Sequence, residues 1–326
     1  MKILVTGGAG FIGANLCARL AVEGIGQVVA LDDLSTGNRE NLDGLAGVEL
    51  VEGSVLDRAE LRRVTEGAAA IVHLAALPSV PRSLVDPIGS HEANATGTLS
   101  VLEAARAAGV GHVVVASSSS VYGANPTLPK SEEMATLPLS PYAASKLAAE
   151  SYALAYARSF GLEVLAFRFF NVFGPLQPAG HAYAAVIPAF VDAALGGRAL
   201  QVHGDGLQTR DFTYVGTVTE VLAGAVRKHI SAPGPVNLAF GSRLSLLDVI
   251  STLERILDRS VSVEHLGPRP GDVRHSQADG SRLRALFPSL SPVPFEVGLA
   301  ETVAWFERAR PSGSGIGPLT DHPSAS

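Results

Sequence analysis

Tyr142 and Lys146 stand four residues apart in Tyr142-Ala143-Ala144-Ser145-Lys146. On a helix that spacing puts both side chains on one face. A free tyrosine titrates near about 10, so its phenolate is scarce at neutral pH. A neighbouring ammonium favours the phenolate, which suits the pair to removing a proton from a hydroxyl group. Taken alone, the spacing is more often that of a packed ring beside a solvated lysine. The chemistry also needs a hydride acceptor and a substrate. Ser140 and Pro141 precede the pair. Serine caps helices and proline is tolerated at the first helical position, so a helix is expected from there to about Phe160.

The N-terminal stretch supplies a place for the acceptor. Ile3-Leu4-Val5-Thr6 has the length of a strand, and Gly7-Gly8-Ala9-Gly10-Phe11-Ile12-Gly13 follows it. A helical pattern runs from Ala14 to about Glu23, and a second strand, Val28 to Leu31, ends at Asp32-Asp33. In such a unit the first glycine permits a tight turn and the second lets backbone N–H groups approach a pyrophosphate. The third lets helix and strand pack closely. A carboxylate at Asp32 can hold both ribose hydroxyls of an adenosine and repels a 2′-phosphate, which favours NAD over NADP.

The elements that must position these groups alternate. Strands are expected at Val48–Val51, Ala70–Leu74, Val113–Ala116 and Glu163–Phe169. Helices are expected at Ala59–Glu66 and Pro87–Ala108. This pattern predicts an α/β fold with a doubly wound parallel sheet. Ligands bind beyond the carboxyl ends of such strands. The glycine turn, Asp32, Ala75-Ala76, the run Ser117 to Ser120 and Asn171 all follow strand ends, so one crevice can hold them. Past Asn171 the texture changes. Helices are expected at Ala184–Leu195, Thr217–Lys228, Leu246–Leu257 and Val297–Arg308, with a strand at Val236–Leu238 rejoining the sheet. Leu200 to Phe212 reads as a loop, Gly267 to Asp279 as irregular, and the Gly/Ser/Pro tail from Pro311 as disordered. The domain reading is 1–170 with a returning segment at 212–240 for the dinucleotide, and 171–211 with 241–310 as a smaller substrate domain.

Composition narrows the class. The 326 residues are 47% hydrophobic and 17% charged, ordinary for a globular protein with a sizeable core. A formal charge of −6 argues against non-specific nucleic-acid binding. The single cysteine, Cys17, excludes an intrachain disulfide and a cysteine-based metal site, and nine histidines include no His-x-x-x-His pair. No metal is expected. No apolar run reaches membrane-spanning length and Met1 leads straight into a strand, so no membrane association and a cytoplasmic location are expected.

With these residues in hand, the chain resembles the extended short-chain dehydrogenase/reductases that act on nucleotide sugars. The matching pieces are Thr6 to Gly13, Asp32 to Gly37, His73 to Ala76, Ser117 to Gly123, Tyr142 to Lys146, Arg168 to Pro175 and Arg210-Asp211-Phe212. Ser79 to Ser83, Ala182 to Pro188 and Gly271 to Asp279 look most like UDP-N-acetylglucosamine 4-epimerases. The resemblance implies that Tyr142 is the base, Lys146 its electrostatic partner on the nicotinamide ribose, and Ser118 the group on the sugar O4. It assigns the cofactor to Gly7, Gly10, Phe11, Ile12, Gly13, Asp32 and Asp33, then to Ser35, Thr36 and Gly37. Ser54, Val55, Leu74, Ala75 and Ala76 continue that set, with Asn94, Ser117 and Phe169. It assigns the UDP-sugar to Asn171 and Arg210 at the pyrophosphate and Arg269 and Asp272 at the phosphate and ribose. Ser79, Ser119, Ala185, Val186 and Ser276 complete that side. Without this context, Arg210 and Arg269 read as solvated surface arginines.

Three serines narrow the implied chemistry. Ser119 and Ser120 stand where 4,6-dehydratases carry Asp and Glu, which argues against loss of water. Ser276 stands where epimerases of unacetylated sugars carry a tyrosine, leaving volume for a 2-acetamido group. One departure is Ser54, where relatives carry an aspartate for the adenine amino group; a hydroxyl accepts that bond more weakly. The resemblance further implies a homodimer joined through the helices at about 90–108 and 142–160. The reading is NAD-dependent 4-epimerisation of UDP-GlcNAc/UDP-GalNAc. Its alternatives are a UDP-glucose or UDP-glucuronate epimerase, a dehydratase or dehydrogenase, and a non-catalytic dinucleotide sensor.

Overall fold

The central strands are near-continuous apolar runs, and successive side chains point to opposite faces of one sheet, both of them buried. The computed structural model describes residues 1–180, 184–267 and 274–310. The first half runs β1 (Lys2–Thr6), α1 (Phe11–Val22), β2 (Gln27–Asp32), β3 (Val48–Glu52), α2 (Arg58–Thr65) and β4 (Ala68–His73). It continues through α3 (Val80–Val85), α4 (Pro87–His91), α5 (Gly97–Ala108), β5 (His112–Ser118), α6 (Pro141–Phe160) and β6 (Glu163–Phe169). The second half is β7 (Val172–Phe173), α7 (Val186–Leu195), β8 (Leu200–His203), β9 (Thr209–Arg210), β10 (Thr213–Tyr214) and α8 (Val215–Lys228). It ends with β11 (Val236–Leu238), β12 (Leu244–Ser245), α9 (Leu246–Leu257), β13 (Val263–Leu266), α10 (Ser281–Leu286) and α11 (Phe295–Ala309).

The main sheet has seven strands in the order β11-β6-β5-β4-β1-β2-β3, with every neighbouring pair parallel. Ile3, Val5, Val28, Ala30 and Val72 face α1 and α8, packing on Leu16, Leu20, Val218 and Leu222. Leu4, Val29, Leu31, Ile71 and Val113 face the other layer, with Leu61 of α2, Leu102 of α5 and Ala153 of α6. A further cluster, with Ile187, Phe190, Val249, Leu253, Leu299 and Val303, packs α7, α9 and α11 together.

The α/β expectation is met, and the differences from it are local. The expected loop over Leu200–Phe212 contains β8 and β9; β8 pairs with β13 and β9 with β12. Leu200 and Val202 are fully buried, but a four-residue strand among Gly and Asp carries too little alternation to stand out. The expected helix over Pro87–Ala108 is broken by a π turn at Glu92–Thr96, where the Gly97 N–H donates to the Glu92 carbonyl. Gly97 sits so close to Val55 that a Cβ would lie 2.7 Å from its Cγ2. α1 begins at Phe11, not Ala14, so Gly13 lies inside it. β5 runs on through Ser118, placing Ser117 and Ser118 within the strand. The short helices α3 and α10 had no distinct sequence pattern. Among the described residues no helix is long and apolar enough to cross a membrane.

Candidate active site

The crevice begins at the glycine turn. Gly7 adopts φ +69°, and a Cβ there would lie 2.6 Å from the Ala75 nitrogen. A Cβ on Gly13 would lie 2.0 Å from the Gly7 carbonyl oxygen. Only glycine fits either place. Gly10 caps α1 without a side-chain hydrogen bond, and no acidic residue stands in the helix's first turn. The N–H groups of the first turn, with Phe11, Ile12 and Gly13, therefore keep their capacity for an anion.

Asp32 closes β2 and is buried. Its Oδ2 accepts from the Ala9 N–H at 2.9 Å and its Oδ1 from the Leu34 N–H at 2.9 Å. Burial raises its pKa, opposed by those N–H donors. Gly37 approaches so closely that a Cβ would meet the Asp32 carboxylate at 2.7 Å. Asp33 accepts from the N–H and hydroxyl of Ser35, and Thr36 is exposed beside them. Ser54 uses its hydroxyl oxygen to accept from the Leu56 N–H. Past β4, the Leu74 N–H donates to the Thr6 carbonyl and the Ala75 N–H to the Thr6 hydroxyl, with the half-buried Ala76 next. A narrow glycine cradle, an uncapped helix start and an acid at the second strand fit a dinucleotide.

The candidate reacting groups come from β5 and α6. Ser140 accepts from the Ala143 N–H and caps α6, as its sequence predicts. Tyr142 stands beside Ser118 at the end of β5, near enough for that hydroxyl to act on its phenol. Burial raises the Tyr142 pKa and the Ser118 hydroxyl opposes the rise. The expected lowering by Lys146 is not found: Lys146 is itself buried, and burial lowers its pKa to about 8. Ser118 also bonds Ser120, through its hydroxyl and the Ser120 N–H, at the start of a short 3-10 turn that includes Ser119. Ser117 is turned to a different task, donating to Glu150 at 2.7 Å. Asn94 is fully buried and spends its amide on the Leu77 backbone and Ser145. Val55 and Phe169 pack against the two faces of the sheet.

On the other side of the crevice, Asn171 follows β6 with φ +23°, a conformation that side chains rarely adopt and that marks strain. Its side-chain amide donates to the Asp211 carbonyl. Arg210 donates to the Thr209 and Arg274 carbonyls. The Ser276 N–H donates to the Thr209 carbonyl and His275 Nδ1 lies 2.9 Å from the Thr209 hydroxyl, so β9 brings Arg210 and Ser276 together. Ser79 adopts φ +97° and caps α3. Ala185 and Val186 open α7, whose start has no side-chain cap. Arg269, Asp272 and the stretch Ala182-Tyr183 lie outside the described residues.

Sequence reasoning missed several residues that hold this arrangement. The buried Asp211 carboxylate accepts from the N–H groups of Gly241, Ser242 and Ala278 and from the Ser242 hydroxyl, fixing two loops to β9. Glu150 and Arg168 form a buried ion pair beneath the Tyr142/Lys146 face, with Arg168 Nη2 2.6 Å from Glu150 Oε1. Glu150 continues the four-residue spacing of Tyr142 and Lys146, a signal present in the sequence.

A parallel sheet with a glycine cradle, an acid at β2, and Ser, Tyr and Lys at one strand end define an NAD-dependent enzyme of the short-chain dehydrogenase/reductase class. Within it, the chain belongs to the NAD dependent epimerase/dehydratase family, which matches residues 3–239. A UDP-glucose 4-epimerase of Mycolicibacterium smegmatis is 37% identical, over 94% of this chain and 98% of that protein. Among solved structures, a UDP-N-acetylglucosamine 4-epimerase of Methanobrevibacter ruminantium, in complex with UDP-N-acetylmuramic acid, is 36% identical with TM-score 0.90. It covers 95% of this chain and 99% of its own. A UDP-glucose 4-epimerase of Thermus thermophilus in complex with NAD is 35% identical, TM-score 0.85, covering 95% of this chain and 100% of its own. The cofactor is NAD.

Proposed function

We propose that the protein interconverts C4 epimers of a UDP-hexose, with UDP-GlcNAc and UDP-GalNAc as its preferred pair. The observation that carries this reading is the placing of Ser118, at the end of β5, beside Tyr142 and the buried Lys146 of α6. Tyr142 removes the proton from the sugar O4, and Ser118 holds both O4 and the phenol. NAD⁺ held in the glycine cradle would supply the acceptor for the C4 hydride. Lys146 holds the ribose next to the reacting carbon. Between the two transfers the 4-keto hexose must turn over, so the chain grips the UDP and leaves the hexose loose. Arg210, Asn171 and the uncapped start of α7 supply that grip, and guanidinium groups suit phosphate. Arg269 and Asp272 are assigned to the phosphate and ribose.

Three serines narrow the choice. Ser119 and Ser120 provide no acid and base for elimination of water, which favours epimerisation over dehydration. Ser276 is small and sits beside Arg210, which favours an acetamido substituent at C2. A second reading, a UDP-glucose 4-epimerase, is supported by the Mycolicibacterium relative. We further assign 1–170 with 212–240 to NAD and 171–211 with 241–310 to the UDP-sugar. The dimer is assigned to the α5/α6 side. Leu84, Val85 and Ile88 are exposed there on helices packed against α6, whose outer face carries Tyr152.

Product analysis after incubation with UDP-GlcNAc and, separately, UDP-Glc tests the reading. UDP-GalNAc should form faster than UDP-Gal. A dehydrated or net oxidised product without an epimer would sink it, and rejection of the acetylated sugar would leave the second reading.

A further inference from the structure

His73 ends β4 in the middle of the sheet, and no step described above uses it. Its ring is enclosed and both nitrogens are bonded. Nδ1 lies 2.7 Å from the Thr6 hydroxyl and Nε2 lies 2.9 Å from the Thr98 hydroxyl. Thr6, Thr98, Asn94 and Ser145 are all buried to at least the same degree.

The neighbours fix the direction of each proton. The Thr98 hydroxyl donates to the Asn94 carbonyl at 2.6 Å, so its hydrogen is committed. Thr98 therefore accepts from His73, which places the ring proton on Nε2. Nδ1 is then an acceptor and takes the hydrogen of Thr6, whose oxygen in turn receives the Ala75 N–H. Beyond Asn94 the chain continues. Its amide donates to the Ser145 hydroxyl at 3.0 Å, and that hydroxyl donates to the Tyr142 carbonyl at 2.8 Å. Burial and the Lys146 charge lower the His73 pKa to about 3, so no second proton competes.

We propose that His73 is a positioning residue: as the Nε2–H tautomer it ties the glycine-turn end of β1 and the end of β4 to the π turn of Asn94. Through Asn94 and Ser145 it sets the turn of α6 that carries Tyr142 and Lys146. This deepens the epimerase reading and rests on it for the role of Tyr142. The device aligns the hydride acceptor's cradle with the base, two parts contributed by different halves of the sheet. Such alignment affects the turnover step and leaves the UDP grip alone, because Asn171 and Arg210 belong to other elements.

Two measurements on the NAD-loaded protein test the proposal. The first is ¹⁵N NMR of histidine-labelled protein, with His73 assigned by its loss in His73→Gln. Nε2 should be protonated and Nδ1 bare, without titration from about pH 5 to about pH 9. A proton on Nδ1, or titration in that range, overturns the tautomer whether or not the enzyme epimerises UDP-sugars. The second is kinetics. His73→Leu should lower kcat by about tenfold to a hundredfold with KM for the UDP-sugar nearly unchanged. His73→Gln, which keeps a donor toward Thr98, should recover most of kcat. Thr98→Val cuts the same link with little change in volume and should reproduce the kcat loss if the leucine variant does not fold. Wild-type kcat in Thr98→Val, or a loss in KM alone, contradicts the proposal. Lack of epimerisation by the wild type would instead strike the functional reading.

Discussion

Tyr142, half-buried, and Lys146, buried, are both held against their charged forms by their removal from water. The four-residue spacing was legible in the sequence and the resemblance supplied Ser118, but the burial that tunes the pair was not, since it depends on how α6 packs in the fold. Ser118 offsets part of the cost for the phenol. Replacing Tyr142 by Phe should lower kcat by about a hundredfold to ten-thousandfold, the usual worth of a positioned acid or base. NAD binding, read by equilibrium titration, should stay intact; unchanged turnover would remove Tyr142 from its role. Lys146 carries a stability consequence. Its folded value of about 8 lies below its ordinary 10.5. Between those values the unfolded chain binds a proton that the folded chain does not, so stability rises as pH climbs from about 8 to 10.5. Below about 8 the penalty is constant and on the order of 3 kcal/mol as an upper bound. Lys146→Met should therefore abolish turnover yet be more stable at neutral pH and lack that alkaline rise. Urea denaturation at about pH 7 and about pH 10 checks both signs.

α6 is the element that binds the site to the fold. Tyr142, Lys146 and Glu150 recur every four residues along it, and Glu150 reaches both β5, through Ser117, and β6, through Arg168. The Arg168 guanidinium stacks over the Tyr122 ring at 4.7 Å, and Tyr122 donates to Asn237 of β11 at 2.6 Å. Burial opposes the charge on Arg168, but Glu150 holds it above its ordinary range. Glu150→Gln keeps the shape and strips the partner charge, which should cost about 3–5 kcal/mol. The double variant Glu150→Met/Arg168→Met should recover most of that loss, because it leaves no buried charge unpaired. Denaturation midpoints distinguish the two, and a neutral single variant would show that the pair contributes little.

The long elements were readable because the central strands are near-continuous apolar runs buried on both faces, and α6 opens on a Ser-Pro cap. The π turn at Asn94 and the strands β8 and β9 were not. They depend on contacts with Val55, β12 and β13 that lie far away in sequence.

The whole chain divides, in the proposed reading, into an NAD side and a UDP-sugar side. The dinucleotide side was the more legible, since its glycine turn and Asp32 fall within one short unit. The proposed UDP side draws on Asn171, Arg210 of β9 and Ser276, which lie far apart in sequence, and only the resemblance assigned them together. Leu84, Val85 and Ile88 remain exposed beside α6, with Ile88 70% accessible. The dimer proposed above would cover these side chains. Sedimentation should give a dimer, and Ile88→Asp should shift it toward monomer; a wild-type monomer would refute the assignment. The most direct test of the central claim follows the hydrogen at C4. UDP-GlcNAc carrying deuterium at C4 should be converted to UDP-GalNAc with the label still at C4, because one bound NAD takes and returns the same hydride. Loss of the deuterium to solvent in the epimer, or its appearance in released NADH, would contradict the account.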